Sequence, residues 1–383
     1  MIPRLPLLAL VAMLTTLCLP LPAKAAAPAA PPVAARAWLL MDTASGQLLA
    51  ALNEHERAEP ASLTKLMTAY LSFSALKAKS LKLAQTVPVS ERAWRAKGSR
   101  MFIEPRKPVT VEELILGMVV QSGNDACIVL AEALGGSEEG FAQAMTERAR
   151  EIGLTGSSFA NATGWPHPEQ RMTARDLATL ALRTIENFPD YYGYYAETSF
   201  VWSDIKQGNR NPLLYKSIGA DGLKTGHTEE AGYGLTGSAV QDGRRLILVI
   251  NGLSSIKARA EESHRLLAWG FREFDNYALL GAGETVEEAD VWQGELETVP
   301  LVLAEDLVVT LPRKSRSNMK VKVRYDGPVP SPIAEGQEIA ALVVSAPEIA
   351  DVVVPLLAGQ AVERQGPVGR LFSGLRHMIL GGS

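Results

Sequence analysis

The stretch that decides the fold is Ala61-Ser62-Leu63-Thr64-Lys65-Leu66-Met67, in which a serine and a lysine lie three residues apart at the start of an apolar-periodic segment. On a helix these two residues share one face, so the Ser62 hydroxyl is expected beside the Lys65 amine. Pro60, just before the serine, is typical of a helix start. The amides and dipole of a helix N-terminus favour a developing anion. Ser62 is therefore a predicted nucleophile, with Lys65 as its base if desolvation or a nearby cation keeps the amine neutral.

The Ser-x-x-Lys pattern has little value alone, because the chain contains it five times. The other four occurrences begin at Ser74, Ser203, Ser254 and Ser317. Ser74 falls late in the same predicted helix, and the remaining three lie in loop-like or strand-like surroundings. Partner motifs elsewhere in the chain must therefore select Ser62.

Composition limits the class of protein. The chain has 383 residues, of which 47% are hydrophobic and 21% charged, and these are values typical of a globular protein with a large core and more than one domain. The formal net charge is −4. Such a small negative charge gives no support to nucleic-acid binding, which we exclude.

The N-terminus has the pattern of a secretory signal peptide over residues 1–25. Arg4 precedes an apolar stretch from Leu7 to Leu19, and Ala23-Lys24-Ala25 is a small-x-small cleavage site. One of the two cysteines lies inside this segment, so the mature protein would keep only Cys127 and could form no internal disulfide. An exported chain without disulfides is typical of the bacterial envelope.

The order of patterns predicts an α+β fold. A strand pair around an Asp42 to Gly46 turn opens the domain, and helical periodicities then dominate up to about residue 185, with Ser137 and Thr173 as predicted helix caps. Alternating strand patterns follow after residue 200, the last two joined by a hairpin turn at Asp242-Gly243, and a last helix covers 257–274. This order predicts an antiparallel sheet flanked by helices, and turn clusters between β-rich runs such as Leu301 to Leu311 then predict a small β-sandwich or barrel. The predicted segments are a signal peptide at 1–25, a catalytic domain at 26–280, a β-rich domain at 285–360 and an amphipathic helix at 366–383.

The C-terminal segment carries apolar residues at helical spacing together with cations. The apolar positions are Val368, Leu371, Phe372, Leu375, Met378 and Ile379, and the basic ones include Arg370 and Arg376. A cationic amphipathic helix after a finished β domain is typical of a segment that lies in a membrane interface. We expect this helix to hold the protein on the outer face of the cytoplasmic membrane.

Two further motifs occur once each in the chain. Ser122-Gly123-Asn124 lies between two predicted helices, the first of which opens with a capping box from Thr110 to Glu113. Lys224-Thr225-Gly226-His227 lies in the first of the predicted antiparallel strands. A second lysine would help to keep Lys65 neutral, and a second hydroxyl could pass a proton.

Together, Ser62-x-x-Lys65, Ser122-x-Asn124 and Lys224-Thr225-Gly226 resemble the motif set of class A β-lactamases and penicillin-binding proteins. The whole chain resembles the low-molecular-mass penicillin-binding proteins, the D-alanyl-D-alanine carboxypeptidases. The resemblance implies a β-lactamase/transpeptidase-like domain, peptidoglycan stem peptides as substrates and β-lactam antibiotics as covalent inhibitors. It implies a periplasmic location at the membrane surface.

The resemblance also implies roles for individual residues. Ser62 would be the nucleophile, Lys65 its base and Ser122 a proton shuttle, while Asn124 would position the acyl part of the substrate. Lys224 and Thr225 would bind a carboxylate, and Gly226 would let the edge strand approach the substrate. The main-chain amides of His227 and Ser62 would form the oxyanion hole. Arg259 would bind the terminal carboxylate of the substrate. In the loop where the family often has a histidine, this chain has Thr163-Gly164-Trp165. No metal or cofactor is implied, since the five histidines are scattered and no His-Glu-x-x-His occurs.

Three alternatives share part of this pattern. A β-lactamase would carry the same three motifs, although the extra β domain and the expected anchor argue against it, and no glutamate-bearing deacylation loop is recognisable. A non-catalytic penicillin-binding sensor or wall-binding scaffold would be expected to have a membrane-spanning helix. Endopeptidase activity on cross-links stays open because the bond is of the same type. The preferred hypothesis is a serine-type D-Ala-D-Ala carboxypeptidase.

Overall fold

The structure is a computed structural model that describes residues 28–347 and 349–369. The predicted signal peptide, and the predicted tail helix beyond Gly369, lie outside the described residues. Within these ranges, no helix combines the length and the apolarity that crossing a bilayer requires.

The described helices and strands follow the predicted order. The α-helices are α1 Lys65–Lys77, α2 Glu91–Trp94, α3 Val111–Val119, α4 Asn124–Gly135, α5 Glu138–Glu151, α6 Ala174–Asn187, α7 Pro189–Tyr192 and α8 Ile256–Glu273. The strands are β1 Ala37–Asp42, β2 Leu48–Leu52, β3 Thr86–Val87, β4 Val109–Thr110, β5 Ser199–Trp202, β6 Ile205–Gly208, β7 Ala220–Thr228, β8 Gly232–Gln241, β9 Arg244–Leu253, β10 Phe274–Leu280, β11 Thr285–Trp292, β12 Thr298–Val302, β13 Leu307–Pro312, β14 Lys320–Arg324, β15 Val329–Pro330, β16 Glu338–Ser345 and β17 Val352–Ala358. Short 3₁₀ helices cover Ala61–Thr64, Gly193–Ala196, Pro212–Tyr215 and Arg316–Asn318.

An antiparallel five-stranded sheet, in the order β2-β1-β9-β8-β7, forms the centre of the first domain. Strands β1 and β2 form the predicted hairpin. Strands β8 and β9 form another around Asp242 and Gly243, whose φ angles of 51° and 78° suit a tight hairpin turn. The sheet places β7, which carries the Lys224 motif, at one edge, so that this motif is open to neighbouring elements on one side.

Helices cover both faces of this sheet, as predicted. Helices α1, α3, α4, α5 and α6 pack in one apolar core with residues such as Phe73, Met118 and Val249. Helix α8 packs on the opposite face, where Leu266 and Trp269 join side chains of the central strands. The Ser62 segment, immediately before α1, is thus held in the interior next to the sheet.

The predicted helix ends are confirmed in detail. Thr110 and Glu113 form both hydrogen bonds of the capping box at the start of α3. Ser137 and Thr173 accept from the amides of Gly140 and Asp176 at the starts of α5 and α6. These caps fix where α3, α5 and α6 begin.

The second domain is built from strands, but its first strands are arranged differently from the prediction. The apolar run Leu301–Leu311 is interrupted at residues 303–306, where the Asp306 carboxylate accepts from the Ala282 amide at 2.8 Å. The run therefore supplies two strands. Strand β12 joins a six-stranded sheet in the order β14-β16-β17-β12-β11-β15, whereas β13 pairs with β10, which lies within the segment assigned from sequence to the first domain.

A buried ion pair lies where the two domains meet. Asp42, fully buried at the end of β1, accepts from Arg244 Nε at 2.7 Å and from Asn276 Nδ2 at 3.0 Å. Arg244 also donates to the carbonyls of Gly270 and Phe274 at 3.1 and 2.8 Å. This cluster ties β1, β9 and α8 to β10, the strand that pairs with β13.

We expect Asp42→Ala to lower the free energy of unfolding by about 3–5 kcal/mol, because it leaves the Arg244 guanidinium buried without its counter-ion. Denaturant unfolding of purified protein measures the change. Glu56→Ala is the matched control: it removes an exposed carboxylate 3.6 Å from Arg36, and it should cost less than about 1 kcal/mol. Equal losses for the two variants would contradict this account.

Candidate active site

Ser62 lies in a 3₁₀ turn, Ala61–Thr64, that leads directly into α1. The sequence predicted a continuous α-helix from Pro60, so the first turn is tighter than expected. Ala61 has a φ of +48°, a conformation that an alanine rarely adopts. The strained turn projects Ser62 into a cavity of about 530 Å³, which is lined by Ser62, Ser99, Ser122, Arg210, Thr225, Gly226, His227, Tyr233, Ile256 and Arg259. A larger cavity of about 670 Å³ beside α5 contains none of the predicted site residues.

The turn is confined between two glycines. A Cβ on Gly226 would lie 2.9 Å from the Pro60 carbonyl oxygen, and one on Gly164 would lie 1.8 Å from the Ala61 carbonyl oxygen. Both are closer than real Cβ contacts allow. That Gly226 lets the edge strand approach the substrate stays a prediction; its missing side chain also makes room for the turn that carries Ser62.

The Lys65 side chain is 1% exposed, and three oxygens surround its amine. Nζ lies 3.0 Å from Ser62 Oγ, 2.7 Å from Asn124 Oδ1 and 2.6 Å from the Thr163 carbonyl oxygen. Carbonyl oxygens only accept hydrogen bonds, so in the neutral amine the two N–H groups must point to Asn124 and Thr163. The remaining tetrahedral position, which holds the lone pair, then points to the Ser62 hydroxyl.

Burial lowers the pKa of Lys65 to about 8, and the charge of Arg210 acts in the same direction, while Cys127, Asp125 and Glu138 oppose it. Burial, followed by repulsion from Lys65, also lowers the pKa of Lys224. From the sequence, desolvation or a nearby cation, with Lys224 as the candidate, was expected to lower the pKa of Lys65. Desolvation is the larger cause in the structure, and the repulsion between the two amines favours loss of a proton from either one.

Ser122 and Asn124 lie in the turn between α3 and α4. Ser122 is 1% exposed with a φ of +66°, and its Oγ has no hydrogen-bond partner within the described ranges. The expected contact with Lys65 is made by Asn124 instead. The Asn124 amide also donates from Nδ2 to the Lys97 carbonyl at 2.7 Å, so both ends of this side chain are engaged in the structure.

Strand β7 brings the third motif to the cavity. Lys224 and Thr225 are buried, and Lys224 Nζ donates to the Thr225 carbonyl at 3.0 Å. The His227 imidazole is exposed and stacks on Tyr233, with the ring centroids 3.9 Å apart. The structure therefore gives this imidazole a packing partner, while the sequence had assigned a role only to its main-chain amide.

Two arginines reach the same cavity from other elements. Arg259, in the first turn of α8, is 6% exposed, lies 5.7 Å over the Tyr233 ring, and has an unpartnered Nε in the described structure. Arg210, which the sequence analysis missed, donates to Ser99 Oγ at 2.6 Å. Burial lowers the pKa of both arginines. Together the two guanidinium groups make one end of the cavity cationic, so it favours an anionic ligand.

The described residues contain no group of three or more histidines, cysteines, aspartates or glutamates arranged to hold a metal ion. The site brings together a serine hydroxyl, a buried amine whose pKa is lowered to about 8, and two arginines. These groups can form and break an acyl ester on Ser62.

Comparison with known proteins agrees with this chemistry. A family profile described as D-alanyl-D-alanine carboxypeptidase matches residues 24–255, and one described as the C-terminal domain of penicillin-binding protein 5 matches residues 274–364. The D-alanyl-D-alanine carboxypeptidase DacC of Escherichia coli is 40% identical over 90% of this chain and 88% of its own length.

Solved structures give the same result. Penicillin-binding protein 5 from Haemophilus influenzae superposes with a TM-score of 0.83 at 36% identity, covering 88% of this chain and all of its own. Penicillin-binding protein D2 from Listeria monocytogenes, in an ampicillin-bound form, has a TM-score of 0.58 at 27% identity over 63% of this chain and 98% of its own. The chain belongs to the D-alanyl-D-alanine carboxypeptidase family, whose members are serine hydrolases.

Proposed function

We propose that this protein removes the terminal D-alanine from peptidoglycan pentapeptides through an acyl-enzyme on Ser62, and that penicillin acylates the same residue. The observation that carries the proposal is the geometry of Lys65. Its two carbonyl contacts, at 2.7 and 2.6 Å, leave only the lone pair of the neutral amine for the Ser62 hydroxyl. A serine is a weak nucleophile unless a base is held in this way.

Acylation begins when Ser62 Oγ attacks the carbonyl carbon of the penultimate D-alanine and its proton passes to Lys65 Nζ. The carbonyl oxygen becomes an oxyanion, which the amides of Ser62 and His227 would stabilise. The C–N bond then breaks, and the proton travels from Lys65 through the Ser122 hydroxyl to the leaving nitrogen. The relay requires the Ser122 side chain to turn towards Lys65 Nζ, and its hydroxyl is free to do so because it lines the cavity and has no hydrogen-bond partner among the described residues.

Hydrolysis reverses the proton path. A water molecule adds to the ester carbonyl and gives a proton to Lys65 through Ser122. Lys65 returns this proton to Ser62 Oγ as the ester C–O bond breaks.

Asn124 would have to release its contact with Lys97 if it is to hold the substrate amide, since both ends of its side chain are engaged.

The cationic end of the cavity supports a substrate with a free carboxylate. Lys224, Thr225 and Arg259 would bind the carboxylate of the leaving D-alanine, and Arg210 adds a further cation beside them.

The β-lactamase alternative is weakened by the second domain, which matches the C-terminal domain of a penicillin-binding protein. Endopeptidase activity breaks the same type of bond and stays a second candidate. A non-catalytic penicillin-binding sensor would also need an activated Ser62, so D-alanine release, and not penicillin binding, separates it from an enzyme.

For location, we propose a signal peptide at 1–25, a catalytic domain at 26–280, a β-rich domain at 285–360 and a tail, 366–383, that forms an amphipathic helix on the periplasmic face of the cytoplasmic membrane. The support for the tail is the helical spacing of Leu371, Leu375 and Met378 next to Arg370 and Arg376. The signal would deliver the enzyme to the compartment that contains its polymer.

Ser62 should be the only residue that penicillin acylates. Intact-protein mass spectrometry should show one adduct, which peptide mapping should place on the fragment that contains Ser62. Ser62→Ala should lose both the adduct and D-alanine release from a D-Ala-D-Ala peptide, because no acyl-enzyme can form. Ser74→Ala, which alters another Ser-x-x-Lys sequence in the same helix, is the control and should behave as wild type. D-alanine release by Ser62→Ala would exclude the mechanism.

Arg259→Ala should reduce kcat/KM for the peptide about 30-fold or more, equivalent to the roughly 2–5 kcal/mol lost when one partner of a desolvated ion pair is removed. Acylation by a β-lactam whose carboxylate fits this pocket poorly should change much less. Arg272→Ala is the control on the same helix, since Arg272 is exposed and pairs with Glu273. Unchanged peptide kinetics in Arg259→Ala would remove this residue from the carboxylate site.

Truncation after Gln365 should give an active enzyme that no longer sediments with membranes. The apolar stripe and both arginines of the tail are lost, whereas the cavity residues are kept. Sedimentation of full-length and truncated protein with bacterial membranes, followed by a penicillin-labelling assay, makes the measurement. If the truncated protein still sediments, another part of the chain binds the membrane.

A further inference from the structure

The side chain of Asn161 organises the loop that contacts the catalytic lysine. Its Oδ1 accepts from the Thr163 amide at 3.2 Å, the Thr163 hydroxyl at 3.0 Å, the Gly164 amide at 2.8 Å and the Trp165 amide at 3.0 Å. Its Nδ2 donates to the Trp165 carbonyl at 2.9 Å. These five hydrogen bonds close the loop around one side chain.

The same loop is fixed to the catalytic elements on both sides of Thr163. Before it, the Ala162 carbonyl accepts from Thr68 Oγ1 of α1 at 2.7 Å, and the Ala162 amide donates to Glu138 at 3.2 Å. After it, Gly164, with a φ of +80°, packs against the Ala61 carbonyl. The Thr163 carbonyl is thereby directed at Lys65 Nζ, 2.6 Å away.

We propose that Asn161 is a positioning residue for the general base: by fixing the Thr163 carbonyl, it determines that the lone pair of Lys65 faces Ser62. This inference rests on the proposed function, in which Lys65 activates Ser62. Without the Thr163 carbonyl, an N–H group of the neutral amine has no fixed acceptor. The amine can then rotate and present a hydrogen to Ser62 Oγ instead of the lone pair.

Asn161 is also the residue through which this contact can be tested. The acceptor on Thr163 is a main-chain atom, so no substitution at that position removes it. Asn161 makes no hydrogen bond to Lys65, Ser62 or Ser122. Its effect on catalysis therefore has to pass through the loop.

The charges around Lys65 make two Asn161 variants move the pH profile in opposite directions. The amine faces Asp125 and Cys127 of α4, Glu138 of α5, Arg210 and, on β7, Lys224. A carbonyl acceptor stabilises the ammonium form, so its loss lowers the pKa of Lys65 further. Asn161→Asp keeps an oxygen that can accept from the Thr163, Gly164 and Trp165 amides and from the Thr163 hydroxyl. It also adds a negative charge, which raises the pKa of Lys65.

The experiment measures the rate of acylation by penicillin against pH for wild type and for three variants. In wild type the rate should rise through a pKa of about 8. In Asn161→Ala the acylation rate at high pH should fall about 10- to 100-fold, because the variant loses part of the rate enhancement that a positioned general base supplies. Non-covalent affinity for penicillin should change little. The rise of the rate with pH should move to lower pH. In Asn161→Asp the plateau should stay within a few-fold of wild type, with the acid limb at higher pH.

Asn187→Ala is the matched control. It removes an amide that donates to the hydroxyl of Tyr70, in the middle of α1, at 2.9 Å. Its melting temperature should fall while its pH profile stays that of wild type. If Asn161→Ala does not fold, Asn161→Gln takes its place: it keeps the amide but moves it by one methylene, so its plateau should fall in the same way.

The outcomes separate this inference from the proposed function. If wild-type protein is not acylated at all, the proposed function is wrong. If wild type is acylated and both Asn161 variants keep its pH profile, with only their melting temperatures lowered, Asn161 serves stability alone and the inference is wrong.

Discussion

The buried amine of Lys65 is the constraint on which the rest of the first domain depends. An amine that is 1% exposed is stable only if oxygens replace the water it has lost, and here they come from three separate parts of the chain. The 3₁₀ turn supplies Ser62, the start of α4 supplies Asn124, and the 161–165 loop supplies Thr163. The arrangement of helices on this face of the sheet is the one that lets these three segments meet.

Much of this could be predicted from sequence, because helix caps, apolar periodicity and motif order are local signals. The capping box at Thr110 and the hairpin of β8 and β9 are examples. The Thr163 carbonyl could not be predicted, since every residue type carries a main-chain carbonyl. Arg210 was missed because it lies in a loop without periodicity and reaches the cavity only in three dimensions. The division of Leu301–Leu311 into two strands likewise depends on a contact from the distant Ala282.

The basic side chains around the cavity are electrostatically unfavourable neighbours. Lys224, Arg210 and Arg259 are all poorly solvated and all have a lowered pKa, and the Arg259 Nε and Ser122 Oγ lack partners among the residues described. A fold optimised only for stability would not bring such groups together. An anionic group bound between them would relieve the repulsion and accept from the free donors. Part of the affinity for a carboxylate therefore comes from the relief of this repulsion.

The two glycines beside the Ser62 turn have a consequence for how this family of sites can change over evolution. Any side chain at Gly164 or Gly226 would collide with the main chain of the turn, at 1.8 and 2.9 Å respectively, and displace the nucleophile. The cleft therefore cannot be narrowed or reshaped at its floor without loss of activity. Changes that reshape the cavity while the turn stays in place are expected at its rim instead, at side chains such as His227 and Ile256.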